Sequence, residues 1–88
     1  NGEGMSAHYL RAAAYARFDD YRSARGALLA AAQREPHDFV PWALLGDLAV
    51  RAGDLPEARR DYGRAHALNP RDPTLAALAR DPLAQPSP

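Results

Sequence analysis

The 88-residue sequence predicts an all-α fold: antiparallel helix–turn–helix units stacked as a short right-handed solenoid. Three observations carry this. First, sliding the chain by 34 residues lays Met5–Asp38 over Phe39–Asp72 and matches Leu10/Leu44, Arg17/Arg51, Asp20/Asp54, Ala24/Ala58, Arg25/Arg59, Ala31/Ala65, Pro36/Pro70 and Asp38/Asp72. Second, the matched positions include the turn aspartate, the two alanines of the second helix and the closing proline–aspartate, so the repeat falls on structural punctuation. Third, no segment alternates apolar and polar residues with the period of two that a half-buried strand requires.

The first helix is predicted from about Ser6 to Phe18, after a linker at 1–4, and stops at Asp19-Asp20. A second begins after Asp20, whose carboxylate can accept from free N–H groups of the first turn. It continues through the strongly helical Ala27–Glu35 to Pro36, which disfavours helical geometry in the residue before it. The third helix takes Asp38 as N-cap and tolerates Pro41 in its first turn. Gly53 ends it by accepting a left-handed backbone. Asp54 caps the fourth, with Pro56 early and Glu57 placed to complete a capping box. Asn69-Pro70 closes that helix. Asp72-Pro73 opens a shorter one that stops at Asp81-Pro82. The expected divisions are therefore 5–38, 39–72, a capping helix at 73–81 and a proline-rich tail at 82–88.

Turns this short force neighbouring helices antiparallel. Small residues permit their close approach: Ala12 and Gly46 on the first helices of the two units, Ala24/Ala58 and Ala31/Ala65 on the second helices. Trp42, Leu45, Leu48 and Tyr62, with Tyr15, Tyr21 and Leu28, are the large residues expected to fill the spaces between them.

Composition excludes several functions. Eleven cations balance eleven anions, so clustered positive charge for a nucleic-acid backbone is missing. All eleven cations are arginine and alanine is abundant, a usage associated with GC-rich bacterial genomes. Without cysteine there are neither disulfides nor thiolate metal sites. No apolar run approaches the roughly 18 residues of a membrane span, and residues 1–9 lack signal-peptide character. His8, His37 and His66 stand too far apart to form the paired ligands of a helical metal site. Asp19, Asp20 and Asp38 are accounted for as turn and cap residues. Arg60 and Arg64 are spaced to pair with Glu57 and Asp61 along one helix. With single glycines and only three serines, neither a phosphate-cradling loop nor a nucleophile–base set is present. No active site, cofactor or metal is expected.

In the second unit Trp42, Leu45, Gly46, Ala58, Tyr62, Ala65 and Pro70 fall on the pattern of the tetratricopeptide repeat, which that unit resembles; Ala49 stands where a tyrosine is expected. The first unit keeps Tyr15, Ala24, Ala31 and Pro36, with His8, Arg11-Ala12 and Leu28 at departing positions. The resemblance implies a non-catalytic module that receives a protein or peptide in a concave groove lined by the first helix of each unit. On that reading the groove positions are Ser6, Tyr9, Ala13, Ala16 and Arg17, then Val40, Ala43, Asp47, Val50 and Arg51. Tyr9, Asp47, Arg17 and Arg51 have the greatest recognition value. The set of lysines and asparagines by which some members hold a C-terminal carboxylate is replaced here by Tyr9, Ala13, Leu44, Thr74 and Leu78. Two full units fall short of the three or more that usually make such an array stable. This leaves Met5, Tyr9 and Leu10 at an uncovered end, where a second copy or additional chain is expected to dock. Residues 35–55 and 67–82 also resemble the C-terminal repeat regions of bacterial O-antigen ligase or polymerase-like membrane proteins. That resemblance implies the alternative of a soluble accessory or oligomerisation domain, whereas a free-standing module is expected to be cytoplasmic.

Overall fold

A computed structural model of the chain describes residues 2–17 and 19–84, with side chains from Tyr9 onward except Phe18. Five helices follow one another: α1 (Gly2–Arg17), α2 (Tyr21–Arg34), α3 (Val40–Arg51), α4 (Leu55–Leu68) and α5 (Pro73–Arg80). Each packs on its neighbour in sequence, α1 on α2, α2 on α3, α3 on α4 and α4 on α5. There is no strand among the described residues. The expected helices are present, with shifts at three ends. α1 starts at Gly2, inside the span expected to be a linker, because extending an anchored helix gains a hydrogen bond for each residue fixed. The last residue expected in that helix, Phe18, lies outside the described residues, as do Asn1, tail residues 85–88 and the side chains of Met5, Ser6 and His8.

The cap of α3 is also displaced. Phe39 is the N-cap residue and offers no side-chain bond, while Asp38, expected in that role, accepts from the N–H of Val40 at 3.0 Å from one position earlier. At α4 the capping box is half made. Asp54 accepts from the N–H of Glu57 at 3.1 Å, but the N–H of Asp54 is already taken by the carbonyl of Ala49. The Glu57 carboxylate is thereby free to bond Arg25 and Arg60.

The repeat is visible atom for atom in the turns. In the second hairpin Gly53 has φ +80°, its N–H donates to the carbonyl of Val50 at 3.0 Å, and the N–H of Asp54 donates to that of Ala49 at 2.9 Å. Thirty-four residues earlier Asp19 adopts φ +59°, its N–H reaches the carbonyl of Ala16 at 3.1 Å, and the N–H of Asp20 reaches that of Tyr15 at 2.8 Å. Aspartate is among the few residues that enter this left-handed region readily, which is how the first turn dispenses with glycine.

Two clusters of side chains form the core. The first joins Ala12 and Ala16 of α1, Ala24, Ala27 and Leu28 of α2, and Leu45 and Leu48 of α3. The second joins Ala49 of α3, Ala58, Tyr62 and Ala65 of α4, and Leu75 of α5. Ala24, Ala31, Ala58 and Ala65 are fully buried, so the helix axes approach at the alanine pairs of the repeat. Trp42 packs against both clusters and carries the Arg64 guanidinium 4.8 Å from its ring centroid. Leu75 and Leu78 place α5 over the second cluster.

A polar clasp adds to this seam. Arg25 on α2 reaches across to α4, 3.3 Å from Glu57 Oε2 and 3.2 Å from Asp61 Oδ2. Arg60 and Arg64 pair along α4 with Glu57 at 3.0 Å and Asp61 at 3.6 Å, as their spacing implies. Asp61 is fully buried, and its Oδ1 receives no hydrogen bond. Burial pushes its carboxyl from an ordinary 3.8 up to about 6, and the Glu57 carboxylate adds to this against the pull of Arg25. Glu57 moves the other way. Burial raises it, but a bond from Arg60, one that a neutral Asp61 can donate, and the Arg25 charge outweigh that and hold it below its usual range.

Asp61 therefore binds its proton more tightly folded than unfolded, and the stability this brings is complete below 3.8 and lost as pH rises through about 6. Glu57, with the opposite shift, loses its contribution only as pH falls below an ordinary 4.5. The expected result is a higher melting temperature at about pH 5.5 than at about pH 7.5, with the difference reduced in Asp61→Asn. An identical pH profile in both proteins would show that Asp61 does not titrate in this window.

Candidate functional site

A cavity lies between α1 and α3, on the face where the first helices of the two hairpins run side by side. It holds about 220 Å³. Its apolar floor is built by Ala12, Ala13 and Ala16 of α1, Ala24 and Leu28 of α2, and Leu44 and Leu48 of α3. The floor is low because α1 presents alanine at successive turns where larger residues would close the furrow against α3. Polar groups stand around it: Tyr9 on α1, then Asp47 and Arg51 one helical turn apart on α3.

Each rim residue is positioned by a neighbour. The Tyr9 hydroxyl donates to Asp38 Oδ2 at 3.3 Å, linking the middle of α1 to the turn before α3. Burial, then the adjacent Asp38 carboxylate, pushes the Tyr9 hydroxyl up to about 12, so it remains a neutral donor. Asp47 is exposed, yet its Oδ1 accepts a 2.5 Å bond from the hydroxyl of Tyr62, which belongs to α4. Burial and this bond to a carboxylate raise the Tyr62 hydroxyl far above its ordinary value. Tyr62 thus serves both as the core aromatic lying over Gly46 and as the support that fixes Asp47 from behind.

Of the sequence-expected groove residues, Tyr9, Ala13, Ala16, Asp47 and Arg51 line this cavity. Ala16 is buried and belongs to the floor. Arg17 is exposed at the end of α1 and does not line it. Val40, Ala43 and Val50 are half-buried, and Ala43 and Val50 pack against the α4–α5 cluster. A helix between two neighbours presents a different edge to each, so residues on one helix face divide between the furrow towards α1 and the side towards α5. The contributions of Ala24 and Leu28 were not apparent from first-helix positions, because they come from the second helix of the unit and show through between the alanines.

Among the described residues there is no group of three or more histidine, aspartate or glutamate side chains placed to hold a metal ion. No described helix is long and apolar enough to cross a membrane. A search of curated proteins finds no match to the chain, and nothing in the comparisons supports the O-antigen ligase context. Comparison with protein-family models matches residues 40–72 to the family described as tetratricopeptide repeat. That window opens on the first residue of α3 and closes on the N-cap of α5, so the α3–α4 hairpin is a tetratricopeptide repeat, generally a protein-interaction module.

Proposed function

We propose that the chain is a non-catalytic protein-interaction module that receives an extended or helical segment of a partner between α1 and α3. The observation supporting this is the open apolar furrow rimmed by Tyr9, Asp47 and Arg51 on the face shared by two in-register hairpins. Its floor offers apolar area to a guest side chain, and its rim offers the Asp47 carboxylate as an acceptor and the Arg51 guanidinium as a cation. Aromatic and arginine side chains at such rims contribute disproportionately to interface energy.

Peptides selected against the protein from a phage-displayed random library provide the probe. Ala13 is exposed and lines the furrow, so Ala13→Trp fills it without entering the core. Peptide affinity, read by fluorescence anisotropy, is expected to fall at least about tenfold in Ala13→Trp, equivalent to about 1.4 kcal/mol. Arg59→Glu, on the exposed side of α4, is expected to leave it unchanged. Equal binding by Ala13→Trp and the unsubstituted protein would refute the groove reading.

A further inference from the structure

We infer that the α1–α3 groove reads its guest through the main chain: an extended segment sets one large apolar side chain on the alanine floor, and the N–H and C=O of that same residue bond Asp47 and Arg51. The inference rests on the groove reading above and adds what the guest presents.

Asp47 and Arg51 stand four positions apart on α3, acid first, the order that ordinarily pairs along a helix. They are not paired with each other or with another described charge. Each is drawn to a different neighbour. Tyr62 of α4 donates to Asp47 Oδ1, which leaves Oδ2 without a hydrogen bond among the described residues. Arg51 lies towards the start of α2, where the Tyr21 hydroxyl is raised chiefly by its bond to Asp19 and the Arg51 charge acts in the opposite sense. One turn of helix, about 5.4 Å, therefore carries an unused acceptor and an unused donor at the same rim of the floor.

Opposite charges at one rim cancel, so the site suits a neutral dipole better than a charged side chain. A peptide unit is such a dipole. In an extended chain a residue's own N–H and C=O point to the same edge, as in the hydrogen-bonded pairs of an antiparallel sheet. Its side chain stands roughly perpendicular to that edge, so a residue whose main chain faces α3 can point its side chain at the floor. The space of about 220 Å³ takes one leucyl or phenyl group. In register, Asp47 and Val50 occupy the places of Ala13 and Ala16, so α3 does not repeat the alanine floor and a single anchor is expected.

A peptide selected from a random library against the unsubstituted protein, together with its N-methylated analogues, tests this by fluorescence anisotropy. Methylation of the anchor residue's nitrogen is expected to weaken binding at least about tenfold, the effect of losing a hydrogen bond to a charged group. Methylation of the next residue, whose N–H faces away from α3, is expected to weaken it much less. In Asp47→Ala the anchor penalty should vanish, whereas Tyr62→Phe, which keeps the Asp47 carboxylate, should retain it. Because each penalty is a ratio within one protein, differences in stability cancel, and thermal melts establish that the variants are folded. An ester in place of the amide after the anchor weakens the carbonyl acceptor, and its penalty is expected to vanish in Arg51→Ala. A scan without a sensitive position, or penalties that persist in Asp47→Ala and Arg51→Ala, would overturn the inference. If such peptides still lose affinity in Ala13→Trp, the groove reading stands and only the main-chain reading fails. If they bind Ala13→Trp undiminished, both fail.

Discussion

Leu45→Ala is expected to leave most molecules unfolded at room temperature. Leu45 sits on α3 with no exposed surface, packed among the α1 and α2 residues of the first cluster. Truncating a buried leucine to alanine costs about 2–5 kcal/mol, the higher values applying where surroundings cannot collapse into the space. Alanines already at their closest approach, Ala24 among them, surround this site and leave little room for collapse. A domain of this size has only about 3–5 kcal/mol from its core. Urea unfolding followed by the fluorescence of Trp42, the sole tryptophan, measures the loss. A change below about 1 kcal/mol would contradict the view that Leu45 joins the hairpins.

Gly46→Ala is expected to destabilise by about 2 kcal/mol, although alanine ordinarily gains about 1 kcal/mol over glycine within a helix. A Cβ at this position would stand 2.5 Å from Cδ1 and Cε1 of the Tyr62 ring. The ring cannot retreat easily, being buried on one side and tied to Asp47 through its hydroxyl. Overpacking of this kind costs about 1–3 kcal/mol, and the rigidity of this contact puts it at the upper end. Gly26 on α2 and Gly63 on α4 are the internal controls, because a Cβ at either meets nothing within 4 Å. Gly26→Ala and Gly63→Ala are each expected to raise the melting temperature. The same sign at all three positions would show that helix propensity, rather than the ring contact, governs Gly46.

Much of this architecture was legible because helix ends are local chemistry. Asp20, Gly53, Asp54 and Asp72 act within a few residues of themselves, and each occupies its expected turn. The alanine pairs were legible because a 34-residue register compares each position with a copy under the same packing demand. Contacts between elements were not. Arg25 shares its place in the register with Arg59, yet Arg25 spans to Glu57 and Asp61 while Arg59 is exposed. Identical residues at matching positions meet different neighbours when one hairpin lies before the other in a stack. The link between Tyr62, expected in the core, and Asp47, expected in the groove, was hidden for a similar reason. Their bond runs from α4 to α3, and sequence spacing gives no sign of it. Asp38 likewise combines a helix-entry bond to Val40 with a bond to Tyr9, and only the first is local.

The central claim is that two in-register hairpins pack to create one binding face between α1 and α3. Amide chemical-shift mapping of the isotope-labelled protein during titration with a library-selected peptide tests it most directly. The account predicts that the largest shifts fall on Tyr9, Ala13, Asp47 and Arg51, with little change along the exposed side of α2 and α4. Shifts concentrated instead around Arg22, Arg59 and Arg60 would place binding on the opposite face and contradict the account.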